Sequence, residues 1–512
     1  MATQVIPPKS QGETKRINLF ATKPLDKLLT ESEETGEHSL KRALGPINLL
    51  TLGIGAIIGA GIFVITGQAA AQFAGPAILF SFILAGIACA FAGLCYAEFA
   101  SMIPIAGSAY TYSYATLGEL VAWIIGWDLI LEYAFGAATV AVGWSGHLRA
   151  FLKDIGLGLP PMPSSDFVLF GRNIHLTYDY VGFLVIMAIT TILVIGIKES
   201  ANFTTAIVIL KVAVVCVFIA LAGGFLFSHH GQPNHWHPFI PANSGDFGSF
   251  GWSGIFRGAG VVFFAYIGFD AVSTAAQEAK NPKRDMPFGI LGSLVICTIL
   301  YILVSGLLTR LVPYTELNVP DPVVVGIRVT GQQWATFLVE LGAIAGLATV
   351  MLVMLLGQSR VFYSMSRDGL LWPWASRIHP RFRTPYISSI VVGLFVAILA
   401  TLVPLNVLDQ MTSIGTLLAF VLVSAGVWVM RRTHPSLHRP FKTPLVPLVP
   451  ILAILFSMSL IVTLSPATQL RLVVWLIIGL AIYFSYGRKH SKVQNALAKG
   501  APADAPAQSM AD

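Results

Sequence analysis

Long runs without a single charged residue are the feature that most restricts how this chain can fold. No Asp, Glu, Lys or Arg occurs between Arg42 and Glu98. Similar runs extend over 286–309, 341–359, 384–408, 410–430 and 443–470. Each run approaches or exceeds the roughly 20 apolar residues that an α-helix needs to cross a bilayer. Only 11% of the residues are charged, against roughly 25% in soluble domains, so the sequence predicts an integral membrane protein.

Hydropathy predicts an all-α integral membrane protein with about twelve transmembrane helices, which we number as the first to twelfth spans. Their predicted bounds are 44–68, 76–101, 119–148, 178–197, 203–228, 252–277, 287–311, 333–364, 386–404, 408–431, 445–464 and 471–487.

Lysine and arginine are concentrated in alternate loops. The richest loop follows the eighth span and carries Arg360, Arg367, Arg377, Arg381 and Arg383. Because positively charged loops remain in the cytoplasm, this bias places both termini on the cytoplasmic side of the plasma membrane. The net charge of +7 then reflects topology and contact with anionic membrane lipids, not binding of nucleic acid.

Glycines cluster inside two spans. The first span reads Gly-Ile-Gly-Ala-Ile-Ile-Gly-Ala-Gly-Ile-Phe over 53–63, and the sixth carries Gly254, Gly258, Gly260 and Gly268. Glycine lets the backbone leave helical geometry, and the freed N–H and C=O groups then need a partner other than lipid. The two spans are five apart, an odd number, so they enter the membrane from opposite sides. Paired interruptions in inverted halves indicate a transporter binding site. The alternative is that these glycines only allow close helix packing.

The predicted organisation has five sections. Residues 1–40 are a cytoplasmic N-terminal segment with an expected interfacial helix. Residues 41–232 hold the first inverted repeat (helices 1–5) and 233–432 the second (helices 6–10). Residues 433–488 add helices 11 and 12, and the small, polar residues 489–512 are predicted to be a disordered cytoplasmic tail.

Cysteine and histidine give little sign of a metal or cofactor. The four cysteines all fall within predicted helices, where free Cys behaves as a small hydrophobe. His229, His230, His235 and His237 cluster in one outer loop. Because no Cys or carboxylate accompanies them at ligand spacing, a solvated loop is the favoured interpretation over a metal site. We expect no cofactor, no metal site and no disulfide.

Several ordered motifs resemble a known family. The chain is similar to the amino acid, polyamine and organocation transporter superfamily over about 40–490, and the residues that carry this resemblance are 53–63, 96–98, 105–112, 269–270 and 278–282. The sequence Arg-Val-Phe-Tyr-Ser-Met-Ser-Arg-Asp-Gly over 360–369 and Pro-Leu-Asp-Lys-Leu-Leu over 24–29 resemble bacterial members of the cationic amino acid transporter branch. The resemblance implies a leucine-transporter-type 5+5 inverted repeat plus two C-terminal helices, and an amino acid zwitterion as the substrate.

The resemblance also implies roles for the residues of the two glycine-rich segments. The amides of Ala60 and Gly61 would hold the substrate carboxylate, with Gly59 allowing close approach. Elementary electrostatics agrees, because the amino end of a helix attracts anions. The implied ammonium acceptors are the carbonyls of Ile57, Phe264 and Ile267. Phe264 would also cover the site as an aromatic gate, while Ala265 and Tyr266 shape the pocket; ordinary packing is the alternative for Phe264.

Lys211 is the one basic residue assigned to a membrane interior, whereas the other basic residues within the predicted bounds lie nearer to a span end. A charged lysine in a membrane is costly, and burial favours its neutral form, so proton gain and loss come within reach. The resemblance supports a lysine on the fifth helix against the unwound first helix. We therefore expect Lys211 to couple proton entry to substrate entry, the alternative being a side chain that extends to the interface. Glu132 is expected to partner Lys211 or a proton relay, although structure alone could explain it.

Substrate identity is the least determined property. The eighth span would contribute Leu347 and its neighbours to 351, which are apolar except Thr349. An apolar wall suits a small neutral side chain such as that of alanine and gives a guanidinium nothing to pair with. The expected activity is proton symport of small neutral L-amino acids; the alternative is a permease or exchanger for arginine and lysine. An enzyme, a channel and a sensor are disfavoured classes. The sequence leaves open whether a small membrane subunit accompanies the chain.

Overall fold

The computed structural model describes residues 18–24, 44–103, 108–169, 172–195, 201–229, 231, 233–274, 276, 279–382 and 384–498. The described chain is almost entirely helical. Eight helices are long and apolar enough to cross a membrane, and three shorter apolar helices accompany them. The segment Pro46–Met102 contains two crossings that meet at Gly75, where φ is +60°. The prediction of an all-α membrane protein with about twelve spans is therefore confirmed.

The first span consists of a helix, a break and three helical pieces, and the next four spans follow it. Their bounds are Pro46–Ile57, Gly61–Ile65, Thr66–Ala69 and Ala70–Ala74 for the first span, Ile78–Met102 for the second, Glu119–Ile130, Leu131–Phe135 and Gly136–Asp154 for the third, Tyr180–Ile195 for the fourth and Ala201–Ser228 for the fifth.

The sixth span is also broken, and the remaining spans are more regular. Their bounds are Gly251–Val262, Phe263–Tyr266 and Ala271–Thr274 for the sixth, Pro282–Leu311 for the seventh, Gln333–Arg367 for the eighth, Tyr386–Leu402 for the ninth, Leu405–Thr433 for the tenth, Leu448–Thr463 for the eleventh and Pro466–Ile482 with Tyr483–Gly487 for the twelfth. Interruptions thus fall in the first and sixth spans, where a 5+5 arrangement requires them.

Short elements connect the spans. The strands Ser164–Leu169 and Arg172–Thr177 form an antiparallel hairpin between the third and fourth spans, which the sequence analysis did not predict. The other connecting elements are the helices and helical turns Gly75–Ala77, Ser108–Thr116, Tyr314–Glu316, Pro322–Arg328 and Pro373–Ser376. The short helices Arg488–His490 and Lys492–Ala498 follow the twelfth span.

The described segments 18–24 and 491–498 pack on the same end of the bundle. The amides of Glu119 and Leu120, at the start of the third span, donate to the carbonyls of Ala21 and Leu19. Ser491 donates to the Glu119 carboxyl at that end. Residues Lys492–Ala498, assigned from sequence to a disordered tail, form a helix instead, because the Lys492 amide reaches a loop carbonyl at the end of the eighth span. Most of the expected N-terminal interfacial helix lies outside the described residues.

Burial separates central from peripheral spans. In the most apolar window of each span, 89% of the sixth span's residues are buried but only 22% of the twelfth's. The broken sixth span therefore lies in the protein interior, whereas the twelfth presents most of its apolar surface outward, as a span facing lipid does.

Candidate substrate-binding site

The break in the first span is a short extended segment between two helical pieces. The helix ends at Ile57, and Ile58 adopts an extended conformation with ψ of 97°. Helical geometry resumes at Gly61. The opening amides of a helix have no partner within it, so the backbone around Ala60 and Gly61 presents N–H groups of the kind that bind anions.

The break in the sixth span has a similar form. Its helix tightens into a 3₁₀ turn over Phe263–Tyr266, and Ile267 is then extended with ψ of 136°. Gly268 follows with φ of +113°, a conformation that side chains other than glycine rarely adopt. The glycine at 268 is thus needed for the chain to leave the helix at this point.

The two breaks lie directly against each other. A Cβ atom on Gly61 would overlap the backbone of Ala265, and one on Gly268 would lie 2.9 Å from the backbone of Ala56. Each break therefore supplies one glycine at a backbone contact with the other. Close packing and unwinding, which the sequence left as alternatives, both occur here.

Tyr301 of the seventh span bridges the two breaks. Its hydroxyl oxygen lies 2.8 Å from the Ile57 carbonyl oxygen and 2.8 Å from the Ala265 carbonyl oxygen. A hydroxyl has one proton to donate, so it can satisfy one carbonyl at a time. Sequence reasoning missed Tyr301, since a tyrosine in a span is common and its partners lie far away in the chain.

The other predicted site residues also surround the breaks. Phe264 is buried and its carbonyl accepts the amide of Ile267 at 3.2 Å. The Tyr266 hydroxyl donates to the Phe82 carbonyl at 2.8 Å, which ties the sixth span to the second. On the eighth span, Val350 lies nearest to Gly59: a Cβ atom there would lie 3.2 Å from it.

A small cavity adjoins the breaks, with space of about 10 Å³, no more than one water molecule needs. It lies between the first, third, sixth and eighth spans and is lined by Ala56, Tyr133, Ile267, Gly268, Ala271, Val350, Val353 and Met354. Apart from the Tyr133 hydroxyl, every lining side chain is apolar. The eighth-span residues that line it begin one turn beyond Leu347, which is itself fully buried.

Lys211 points into the protein and binds the first break. Its side chain is 1% exposed, and its Nζ donates to the carbonyls of Gly55 at 2.9 Å and Ile58 at 3.3 Å. Gly346 of the eighth span makes room for it, since a Cβ there would lie 3.0 Å from Cε. A cation is favourable at the carboxyl end of a helix. The alternative of a side chain extending to the interface does not describe this geometry.

Glu132 lies in a different environment. It is fully buried and interacts with two other carboxyl groups, Asp270 and Asp128, whereas the hydrogen bonds of Lys211 go to the first span. Two other acidic residues in spans have cationic partners: Glu98 accepts two hydrogen bonds of 2.8 Å from Arg431, and Glu340 pairs with Arg328 at 2.9 Å. Glu132 has no such partner among the described residues, and it shares its surroundings with two further carboxyls.

Metal ligands do not assemble near this site. Within the described ranges, no group of three or more His, Cys, Asp and Glu has the geometry to hold a metal ion. Of the outer-loop histidines, His230 lies outside the described residues.

Comparison with known proteins places the chain in a family. The model of the protein family described as amino acid permease matches residues 44–485 of this chain. The branched-chain amino acid permease BcaP of Bacillus subtilis (strain 168) is 48% identical over 478 residues, covering 93% of this chain and 99% of the relative. The methylthioribose transporter of the same organism is 43% identical, with coverages of 93% and 99%.

A relative of lower identity is also a transporter. The vacuolar cationic amino acid transporter 4 of Arabidopsis thaliana is 40% identical over 401 residues, covering 78% of this chain and 65% of the relative. All these relatives are permeases or transporters rather than enzymes. The chain belongs to the amino acid permease family of the amino acid, polyamine and organocation superfamily, and is a multi-pass membrane transporter of amino acids.

Proposed function

We propose that the protein imports neutral aliphatic L-amino acids across the plasma membrane together with protons, with both termini in the cytoplasm. The observation that carries this proposal is the direct contact of two broken helices, Gly61 against Ala265 and Gly268 against Ala56. Such a pair of breaks offers amide donors and carbonyl acceptors within one small site. Those are the groups that a zwitterion needs.

The substrate's carboxylate and ammonium would bind opposite ends of the breaks. The amides of Ala60 and Gly61 begin a helical segment and suit the carboxylate. The carbonyls of Ile57, Phe264 and Ile267 are the proposed ammonium acceptors. In the structure Ile57 already contacts Tyr301, so the substrate ammonium would compete with a hydroxyl for that carbonyl.

The cavity favours an aliphatic side chain. Its apolar lining over Val350, Val353 and Met354 suits an aliphatic side chain such as that of alanine, and these lining side chains would have to move apart to admit one. One relative is named a branched-chain amino acid permease, so we include valine, leucine and isoleucine with the small neutral amino acids. Import of arginine or lysine is the second candidate. It is favoured by the relatives named cationic amino acid transporters and by Asp270, whose carboxyl accepts from the Tyr133 hydroxyl at 3.1 Å.

Protons would act through Lys211, with Glu132 as a further proton-coupling residue. When charged, Lys211 holds the carbonyls of Gly55 and Ile58 with strong, charge-assisted hydrogen bonds. Loss of its proton weakens that hold on the inner half of the first span. Proton occupancy would therefore change the stability of the break that carries the substrate site.

A screen of thermal stability tests the site and its selectivity together. Purified protein is heated with each of the twenty amino acids, since a ligand at 100 times its Kd adds about 2.7 kcal/mol to the stability of the folded form. We expect alanine and the branched-chain amino acids to raise the melting temperature. Uptake of labelled alanine into proteoliposomes, with arginine as competitor, follows. Strong inhibition by arginine would favour the second candidate, and binding without accumulation would indicate a sensor instead.

A further inference from the structure

Three carboxyl groups meet in the interior beside the break in the sixth span. Asp128 and Glu132 lie one helical turn apart on the third span, and Asp270 comes two residues after Gly268. All three side chains are fully buried. Glu132 interacts with both of the others, and the Tyr133 hydroxyl donates to Asp270 Oδ2 at 3.1 Å. We call Asp128, Glu132 and Asp270 the acidic cluster.

Among the described residues, the acidic cluster has no counter-charge. None of the ion pairs formed by the described residues involves these three carboxyls. Within the same described part of the chain, both oxygens of Asp128, both oxygens of Glu132 and Oδ1 of Asp270 have no hydrogen-bond partner. Unpaired carboxylates at such depth are strongly disfavoured, and mutual repulsion adds to the cost. The cluster must therefore hold protons, and its members load them as a coupled set.

Two buried tyrosine hydroxyls lie within electrostatic range of the acidic cluster. Tyr96 of the second span interacts with all three carboxyls, and Tyr112 of the helix Ser108–Thr116 interacts with Asp270. Both side chains are fully buried, and among the described residues neither hydroxyl has a hydrogen-bond partner. A hydroxyl can donate to a carboxylate or accept from a protonated carboxyl. The two hydroxyls can therefore hydrogen-bond to the cluster whether its carboxyls are ionised or protonated.

Within the described part of the chain, the elements packed around the acidic cluster contribute hydroxyl groups to it and no further charge. Tyr96 comes from the second span, Tyr112 from the connecting helix and Tyr133 from the third span. The tenth span contributes the Thr416 hydroxyl, which interacts with Glu132, and Gly415, where a Cβ would lie 3.3 Å from Asp128 Oδ1. The cluster is thus enclosed by hydroxyl groups and a glycine.

We propose that the acidic cluster is a second proton-binding site, tied to the sixth span as Lys211 is tied to the first. This inference rests on the proposed proton-coupled import. Tyr133 provides the link to the substrate: it lines the cavity beside the breaks and donates to Asp270. A substrate that displaces the Tyr133 ring changes the hydrogen bonding of Asp270. It thereby changes the proton affinity of the acidic cluster. A proton loaded with the substrate then leaves on the side of the membrane where the termini lie.

Accumulation at steady state tests the proposal. Each co-transported proton supports at most about tenfold accumulation per unit of pH difference. Glu132→Gln and Asp270→Asn mimic a permanently protonated cluster and are expected to lower the accumulation ratio of labelled substrate in proteoliposomes by about tenfold per pH unit. Exchange at equal pH on both sides should continue at rates near those of the unchanged protein. A defect of structure alone would slow both processes without lowering the final ratio.

A matched control uses another buried acid. Asp409 of the tenth span is 1% exposed, and its Oδ1 accepts the neighbouring Gln410 amide. Asp409→Asn should leave the accumulation ratio unchanged. An unchanged ratio in both Glu132→Gln and Asp270→Asn, with a lowered ratio in Lys211→Met, would overturn the cluster's role and leave the proposed function standing. No accumulation by the unchanged protein under any pH gradient would instead refute the proposed proton coupling.

Two further measurements cover the remaining outcomes. Infrared difference spectra of the unchanged protein report carboxyl protonation directly and need no variant to fold. We expect bands of protonated carboxyls at neutral pH that change when substrate is added and weaken in Asp270→Asn. Absence of such bands would overturn the proposal. An accumulation ratio of labelled substrate that follows a Na⁺ gradient instead of the pH gradient would also overturn the proposal. That result would identify the acidic cluster as a cation site.

Discussion

The first and sixth spans break in the same way, but the ionisable groups beside the two breaks have opposite charge types. In each, a helix ends in an extended residue, Ile58 or Ile267, and a glycine follows it. The carbonyl end of the first break is bound by a buried cation, Lys211. The sixth break instead leads directly into Asp270 and the acidic cluster.

This difference separates two tasks that the breaks perform. Their backbone geometry is nearly equivalent, so both can supply main-chain groups to one substrate. The titratable groups beside them are not equivalent, because a cation at helix carbonyls is stabilised when charged, whereas crowded carboxyls are stabilised when neutral. Protonation of Lys211 therefore strengthens its hydrogen bonds to the first break. Protonation of the acidic cluster instead neutralises the carboxyls beside the sixth break.

The largest effect is expected where the two breaks touch. Gly61→Ala places a methyl group into the backbone of Ala265, which cannot yield as a flexible side chain can. We expect uptake to fall by at least about 100-fold, corresponding to roughly 2.8 kcal/mol or more. Gly268→Ala should behave similarly, because its φ of +113° and the nearby Ala56 backbone both oppose a side chain. Initial uptake rates in proteoliposomes measure both.

Gly223 of the fifth span provides the control. No heavy atom of the described residues lies within 4 Å of a Cβ built there, so Gly223→Ala should transport normally. Normal uptake by Gly61→Ala would show that the breaks need not touch during transport. A defect in only one of Gly61→Ala and Gly268→Ala would show that the two breaks are not equivalent in their backbone role.

Replacing Lys211 tests the chemistry of the first break. Lys211→Met keeps most of the apolar stem but removes the donor to the carbonyls of Gly55 and Ile58. We expect the accumulation ratio to fall by about tenfold per pH unit, while exchange at equal pH persists. The exposed Lys153, at the far end of the third span, supplies Lys153→Met as the control. Undiminished proton-driven uptake by Lys211→Met would contradict the proposed coupling.

Sequence was informative where a residue type is unusual for its surroundings. Glycines in an apolar run and a lysine at mid-span stand out by composition, and Gly61, Gly268 and Lys211 all lie at the breaks. Pairings across the chain leave no such mark. Glu132 was singled out, but its neighbours could not be known, because the third and sixth spans meet only once the bundle is packed.

Two differences between prediction and structure have geometric causes. Leu347 was predicted to contribute to the pocket, and the eighth-span residues that line the cavity beside the breaks are Val350, Val353 and Met354, since helix register fixes which face is presented and apolar residues occupy every face there. The tail helix Lys492–Ala498 was missed because its stability comes from docking on the bundle rather than from its own sequence. Backbone irregularity was thus predictable, and side-chain register was not.

The smallest effect is expected at Tyr301, where the two breaks share one hydroxyl. Tyr301→Phe keeps the ring and removes the contacts to the Ile57 and Ala265 carbonyls. With substrate bound, its ammonium would satisfy Ile57 and leave the hydroxyl to Ala265. The variant therefore loses one neutral hydrogen bond, worth about 1 kcal/mol, in the free and in the bound state alike, so KM should change by less than about fivefold with little change in maximal rate. Tyr266→Phe, which removes a single bond to the Phe82 carbonyl, should leave KM near its original value. A fall in KM for Tyr301→Phe would mean that the hydroxyl competes with the ammonium more than it supports the sixth span, and would make the first break the stronger of the two ammonium sites.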